Sequence, residues 1–159
     1  MKYKTSREDI AYHEAGHAIA TLAYGFELQT VDLNMVTQLN GDIRGGSSLM
    51  NTGYLQKDAT DVQLLEKMVK VNICYLCGGV AERKYSGYNT NTDFADIKMV
   101  RKIMADTGII TGKRGVCLKY CKKRAEEFID DNWDSVKILA DALLVKGIMT
   151  CDEINSLFQ

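Results

Sequence analysis

The chain has 159 residues, of which 46% are hydrophobic and 26% are charged, and its formal net charge at pH 7 is −1. This length and composition predict one globular domain over residues 1–159, with enough apolar residues to form a core. The nearly neutral charge argues against a nucleic-acid partner and against binding to an anionic membrane surface. No stretch reaches the roughly 20 apolar residues that a membrane-spanning helix needs.

The five cysteines are an odd number and lie in segments with a helical pattern, and the charged N-terminal residues do not resemble a signal peptide. We therefore expect reduced thiols and a cytoplasmic protein, rather than a disulfide framework. Cys74 and Cys77 form a C-x-x-C pair without a second pair nearby, which favours packing in the core. Cys117 and Cys121 are predicted to lie on one face of a helix.

The first part of the chain is predicted to form a helix and then strands. Ser6 and Asp9 have the spacing of a capping box, an apolar stripe follows them, and Gly25 is a natural end for the helix. Residues 30–36 alternate between apolar and polar side chains, which indicates a half-buried strand. Residues 38–52 are rich in Gly, Asn and Ser and predict one or two short strands joined by turns.

The remainder of the chain shows helical spacing almost throughout. We predict a helix that opens at Asp58 or Thr60 and ends near Ser86, a helix that ends at Gly108, a helical region over 116–146 with a bend at 130–132, and a short last helix capped by Thr150 and Glu153. The predicted fold is a mostly helical α+β domain, with a small sheet near the first helix and a C-terminal helical bundle.

The two histidines of the chain, His13 and His17, lie four residues apart on the first predicted helix, and Glu14 directly follows the first. At 3.6 residues per turn, the two imidazoles project from one face and can bind a single ion. The H-E-x-x-H pattern is typical of two zinc ligands and a general base. An amphipathic helix that carries two histidines by chance explains this spacing less well, because the acid also stands at the required position.

A catalytic zinc site needs a third protein ligand, and no third histidine is present. Asp93 and Asp96 fall within the apolar stripe of the third predicted helix, where a carboxylate is costly unless it is paired or bound to metal. Asp93 has a structural explanation as an N-cap in the first turn, whereas Asp96 has none. We therefore favour Asp96 as the ligand and keep Asp93 as the second candidate.

These residues resemble the peptidase domain of the FtsH-type AAA+ zinc metalloproteases. The segment Ala11–Ala18 is similar to the helix that carries that family's two zinc histidines and catalytic glutamate, and Cys77–Glu82 is similar to its Gly-Gly-Arg-Ala-Ala-Glu stretch, with one residue missing. Thr92–Ile97 falls where the family has Asn-Asp-Leu, whose aspartate completes the zinc site, so the resemblance also implies Asp96. Asn132–Phe158 is similar to that domain's last two helices.

The sequence also departs from the family pattern. It has no G-x-x-x-x-G-K-[ST] phosphate-binding loop and no transmembrane anchor, so we expect that a separate ATPase or unfoldase would be needed for folded substrates. Val80 replaces the arginine of the Gly-Gly-Arg stretch, and Ala95 replaces the asparagine before the third ligand. Because the family's peptidase domains assemble into hexameric rings, the resemblance also implies a homo-oligomer.

The sequence predicts a zinc-dependent endopeptidase that cleaves peptides or unstructured protein segments. His13, His17 and Asp96 would bind Zn²⁺, and Glu14 would act as the general base. The glycine-rich residues 45–53 would either supply an edge strand that pairs with an extended peptide or only shape a turn. The alternative function is a peptidase-derived binding or assembly module that keeps the metal and does not cleave. Glu14 favours the enzyme, since a binding module has no need for an acid beside the first ligand.

Overall fold

The computed structural model describes residues 5–37, 43–51, 61–88, 94–108 and 111–159, and gives only the backbone for 35–37, 43–51, 61 and 111. Within these ranges the chain forms the predicted mostly helical α+β fold. The helices and strands are α1 (Arg7–Ala23), β1 (Glu27–Thr37), β2 (Ile43–Asn51), α2 (Asp61–Ser86), α3 (Phe94–Asp106), α4 (Thr111–Asp131), α5 (Trp133–Lys146), β3 (Ile148–Thr150) and α6 (Cys151–Ser156). The predicted start of the second helix, at Asp58 or Thr60, lies outside the described residues.

Helix α1 is the central helix of the fold. The predicted capping box is present: the backbone N–H of Asp9 donates to Ser6 Oγ at 3.0 Å, and the backbone N–H of Ser6 donates to Asp9 Oδ2 at 2.7 Å. Gly25, with φ 77°, follows the end of the helix, as expected for a residue in the left-handed region. Every residue from Asp9 to Thr21 is buried, because α2, α5, β1 and β2 all pack against α1.

The sheet is antiparallel and has the order β2-β1-β3. Val31 and Leu33 of β1 are buried while Asn34 is exposed, which confirms the predicted alternation. β1 is longer than predicted, and β2 forms one strand within the glycine-rich segment. β3 was not predicted, because three residues are too few for a period of two to be recognised. It pairs with residues 30–32 of β1.

Helix α2 runs through Gly78 to Ser86, as predicted, and packs against α1, α3 and α4. Cys74 and Cys77 are buried, which confirms their assignment to the core. On α3, Val100 and Met104 are buried, whereas Phe94 is 71% exposed. At about 100° per residue, Phe94 lies about 100° around α3 from the side that carries Val100 and Met104, so it stands outside the buried face.

The C-terminal helical region begins at Thr111, earlier than predicted, and breaks at Asn132, where the bend was expected. Gly147, with φ 79°, ends α5 and leads directly into β3. The capping box between Thr150 and Glu153 opens α6 as predicted. Within the described ranges, none of the helices combines the length and the apolar character needed to cross a membrane.

Candidate metal centre

His13 and His17 project from the buried middle of α1. They are 8% and 5% exposed, and their Nε2 atoms lie 3.0 Å apart. This proximity follows from the i, i+4 spacing, which places the two side chains one helical turn apart on the same face. The local sequence alone therefore brings two of the three predicted ligands together.

Asp96, in the first turn of α3, supplies the third group. Its Oδ2 lies 3.1 Å from His13 Nε2 and 3.4 Å from His17 Nε2. His13 and Asp96 are 83 positions apart in the sequence, so their contact depends on the packing of α3 against α2. His13, His17 and Asp96 form the one group of three or more metal-binding side chains within the described parts of the chain. Asp93, the second candidate, lies outside the described residues.

The three ligand atoms have the spacing that a tetrahedral ion requires. Zinc binds histidine nitrogen and carboxylate oxygen at about 2.0–2.1 Å, so adjacent ligand atoms of a tetrahedral site are about 3.3 Å apart. The observed separations are 3.0, 3.1 and 3.4 Å. Two imidazole nitrogens and one carboxylate oxygen are also a ligand set that zinc accepts. The residues therefore fit a tetrahedral metal ion without rearrangement of the helices.

The other nitrogen of each imidazole makes a hydrogen bond that fixes the orientation of the ring. His17 Nδ1–H donates to the backbone carbonyl of Cys74 at 2.9 Å, and His13 Nδ1–H donates to Glu82 Oε2 at 2.9 Å. Since a carbonyl only accepts, the proton of neutral His17 is on Nδ1, and the Nε2 lone pair faces the candidate site. Such contacts behind the ligands are typical of metal-binding histidines.

Glu82 is a residue of the candidate centre that the sequence analysis did not identify. It lies on α2, 69 positions from His13, and is fully buried. The sequence signal that could have identified Glu82 is its position directly after the apolar residues Val80 and Ala81 in a predicted helix. That signal does not reveal which side chain is the partner, because the contact with His13 depends on how α1 and α2 pack together.

Two glycines allow α1 and α2 to approach closely at the site. A Cβ atom at Gly78 would lie 2.3 Å from His17 Nε2, and a Cβ atom at Gly16 would lie 2.5 Å from the carbonyl oxygen of Cys77. Any larger residue at Gly78 would therefore occupy the volume of the His17 ring. Gly78 of the Cys77–Glu82 segment therefore has a direct role in positioning His17, a predicted ligand.

The charges around the two imidazoles are mostly negative. Burial lowers the pKa of His13, but its hydrogen bonds to Asp96 and Glu82 and the nearby charge of Glu14 raise that pKa to about 10. Burial also lowers the pKa of His17, but the charge and the hydrogen bond of Asp96, together with the charge of Glu14, raise that pKa above its usual value. Burial raises the pKa of Asp96, while the two imidazoles bring it below its usual range. The centre therefore favours a bound cation, either protons or a metal ion.

Glu14 lies on α1 directly beside His13 and is buried. Its charge acts on both imidazoles, raising the pKa of His13 and that of His17. Glu14 is not part of the three-residue ligand group, which leaves its carboxylate as a candidate proton acceptor beside the centre.

Replacing Gly78 with alanine should weaken metal binding. Because the new methyl group would overlap the His17 ring, we expect Gly78→Ala to lower Zn²⁺ affinity by about 10- to 100-fold, measured by competition with a chromophoric chelator. Gly115→Ala is the matched control, since a Cβ atom there contacts nothing within 4 Å. Equal zinc affinities of Gly78→Ala and the wild type would contradict this role for Gly78.

Metal binding should release protons at neutral pH. With its pKa raised to about 10, His13 of the metal-free protein is protonated at pH 7 and must lose the Nε2 proton to bind a metal. Zinc affinity should therefore rise as the pH increases toward that pKa. Calorimetric titrations at pH 7 in buffers of different ionisation enthalpy should show release of about one proton or more per ion. The Glu82→Gln variant should release fewer protons per zinc ion, because it lacks a carboxylate that raises the pKa of His13. A binding enthalpy independent of the buffer would disprove the protonated state.

No family model matches the chain, and no curated protein matches it either. The interpretation of this centre therefore depends on its own geometry. His13, His17 and Asp96 form a group that could bind a metal ion, Glu82 and the Cys74 carbonyl orient the two imidazoles, and Glu14 lies beside the first of them.

Proposed function

We propose that the protein is a zinc-dependent endopeptidase. The observation that carries this proposal is the convergence of His13 Nε2, His17 Nε2 and Asp96 Oδ2 within 3.4 Å of one another, with Glu14 next to the first histidine. Three protein ligands are the number found in catalytic zinc sites, which keep one position for water or substrate, whereas structural sites use four. The resemblance of the motifs to the FtsH-type peptidases points to the same chemistry.

His13, His17 and Asp96 would hold the zinc ion. Zinc in such a site acts as a Lewis acid on the substrate carbonyl and lowers the pKa of water to about 7. Glu82 and the Cys74 carbonyl keep the two imidazoles in the orientation that presents Nε2, so that little reorganisation accompanies binding.

Glu14 would act as the general base. Its carboxylate would accept a proton from the attacking water and pass it to the leaving amine of the cleaved peptide. A buried carboxylate beside two imidazoles is suited to this task, because its surroundings exclude most competing solvent. A module that only binds metal has no use for this group.

The sheet offers a surface for an extended substrate. β2 lies at one edge of the β2-β1-β3 order, and within the described ranges its second side pairs with no strand. α1, which carries both histidines, packs against β1 and β2. An extended peptide that adds to β2 would form main-chain hydrogen bonds independent of its sequence, as expected for an enzyme that acts on unstructured segments. Folded substrates would require a separate ATPase or unfoldase.

Replacing Glu14 with glutamine should abolish cleavage and leave the metal bound. The amide cannot accept the proton of the attacking water, so we expect cleavage of an unfolded casein substrate to fall by about 10²- to 10⁴-fold, with unchanged zinc content by elemental analysis. Glu8→Gln, an exposed acid in the first turn of the same helix, should keep full activity. Absence of cleavage by the zinc-loaded wild type would favour the non-cleaving binding or assembly module instead.

The third ligand can be tested by separate substitutions of the two candidate aspartates. Asp96→Ala should lose both zinc and activity, because two histidines alone hold the ion weakly, whereas Asp93→Ala should retain both. Zinc content after gel filtration and the cleavage rate distinguish the two variants. Loss of zinc from Asp93→Ala alone would show that the assignment of Asp96 is wrong.

A further inference from the structure

Outside the candidate metal centre, α4 carries a pair of thiols. Cys117 and Cys121 are four residues apart, so they lie on one face of the helix, and their thiols contact each other. Cys121 is fully buried, whereas Cys117 is only partly buried. The pair therefore extends from the core toward solvent, with the outer residue partly accessible.

A buried amide on α2, a helix that packs against α4, lies near enough to Cys121 to influence its thiol. Asn72 is fully buried, and within the described part of the chain neither Nδ2 nor Oδ1 makes a hydrogen bond. Its side chain nevertheless acts on Cys121: burial raises the pKa of that thiol to about 12, and Asn72 opposes the increase. A fully buried amide without hydrogen-bond partners is unfavourable, and this one is available to a charged group that binds beside it.

A disulfide does not explain the pair. Side chains four residues apart on a helix have Cβ atoms about 5–6 Å apart. A disulfide requires about 3.5–4.5 Å between these atoms. Oxidation of the pair would therefore require α4 to unwind locally, whereas an ion that bridges two sulfur atoms fits the intact helix.

The number and type of ligands indicate which ion would bind. Thiolates select soft ions such as Cu(I) and Zn²⁺. Zinc completes four ligands, but within the described residues no third histidine, cysteine or carboxylate joins Cys117 and Cys121 in a metal-binding group. A monovalent d¹⁰ ion such as Cu(I) is satisfied by two sulfur atoms in a linear arrangement. The second cysteine pair of the chain, Cys74 and Cys77, is less suitable because both residues are fully buried and offer no entry path.

We propose that Cys117 and Cys121, with Asn72 behind them, form a binding site for one Cu(I) ion. On binding, each thiol loses its proton to solvent and each sulfur forms one bond to copper, while the oxidation states of copper and sulfur stay unchanged. The two thiolates and the cation together carry one negative charge. Asn72 Nδ2–H would donate a hydrogen bond to the Cys121 thiolate and stabilise that charge.

The test is an anaerobic titration of the zinc-loaded, full-length protein with Cu(I), in competition with bicinchoninate. We expect the wild type to bind one Cu(I) per chain without release of zinc. Cys117→Ser and Cys121→Ala should each weaken binding by about 100-fold or more, and Asn72→Leu by about tenfold. Cys151→Ser, which removes a partly buried thiol on α6, is the matched control and should bind like the wild type.

Equal Cu(I) affinities of the wild type and Cys117→Ser would overturn the proposal, as would release of one zinc ion for every copper ion bound. Cys117 is only partly buried, so its serine variant remains informative even if circular dichroism shows that Cys121→Ala is unfolded. X-ray absorption of the copper-loaded protein should reveal two sulfur neighbours, and a nitrogen-dominated environment would also contradict the site. None of these results depends on whether the protein cleaves peptides.

Discussion

The close contact between α1 and α2 determines the geometry of the candidate centre. Gly16 brings the backbone of α1 against Cys77, and Gly78 leaves the volume in which the His17 ring lies. Only at this separation can the Cys74 carbonyl and Glu82, both on α2, reach the Nδ1 atoms of the two imidazoles. The histidines are thus oriented by a neighbouring helix rather than by α1 itself. Ligand orientation is then as rigid as the core, since both helices are buried along their contact.

The carboxylates gathered at the candidate centre require positive charge to compensate them. Glu14, Glu82 and Asp96 are acidic groups around two imidazoles in a region that is largely closed to solvent. Carboxylates in a medium of low polarity are unfavourable unless a cation compensates them. Protons on the histidines provide this compensation in the metal-free protein, and a divalent ion bound by His13, His17 and Asp96 would provide it more fully. An excess of negative charge at a buried point is a physical reason to expect a metal there, independent of any motif.

The sequence predicted the elements whose signals are local. The helix ends at Ser6, Gly108 and Gly147 follow from capping and glycine conformations, and the histidine pair follows from the helical repeat. Asp96 was recognised because an acid on an apolar stripe requires a partner. Glu82 and β3 were not recognised, the first because its partner is 69 positions away and the second because a three-residue strand is defined by its neighbour.

The three candidate ligands come from two helices that are widely separated in the chain, and this separation would link metal binding to the folding of the protein. α3 packs mainly against α2 and α4, so an ion shared by His13, His17 and Asp96 would attach α3 to α1 as well. An ion that binds the folded chain and not the unfolded one stabilises the fold in proportion to the logarithm of its free concentration. Resistance to unfolding and to proteolysis around α3 would then vary with the metal concentration. The time for which the protein persists before degradation would therefore depend on metal availability, in addition to any reaction that needs the metal.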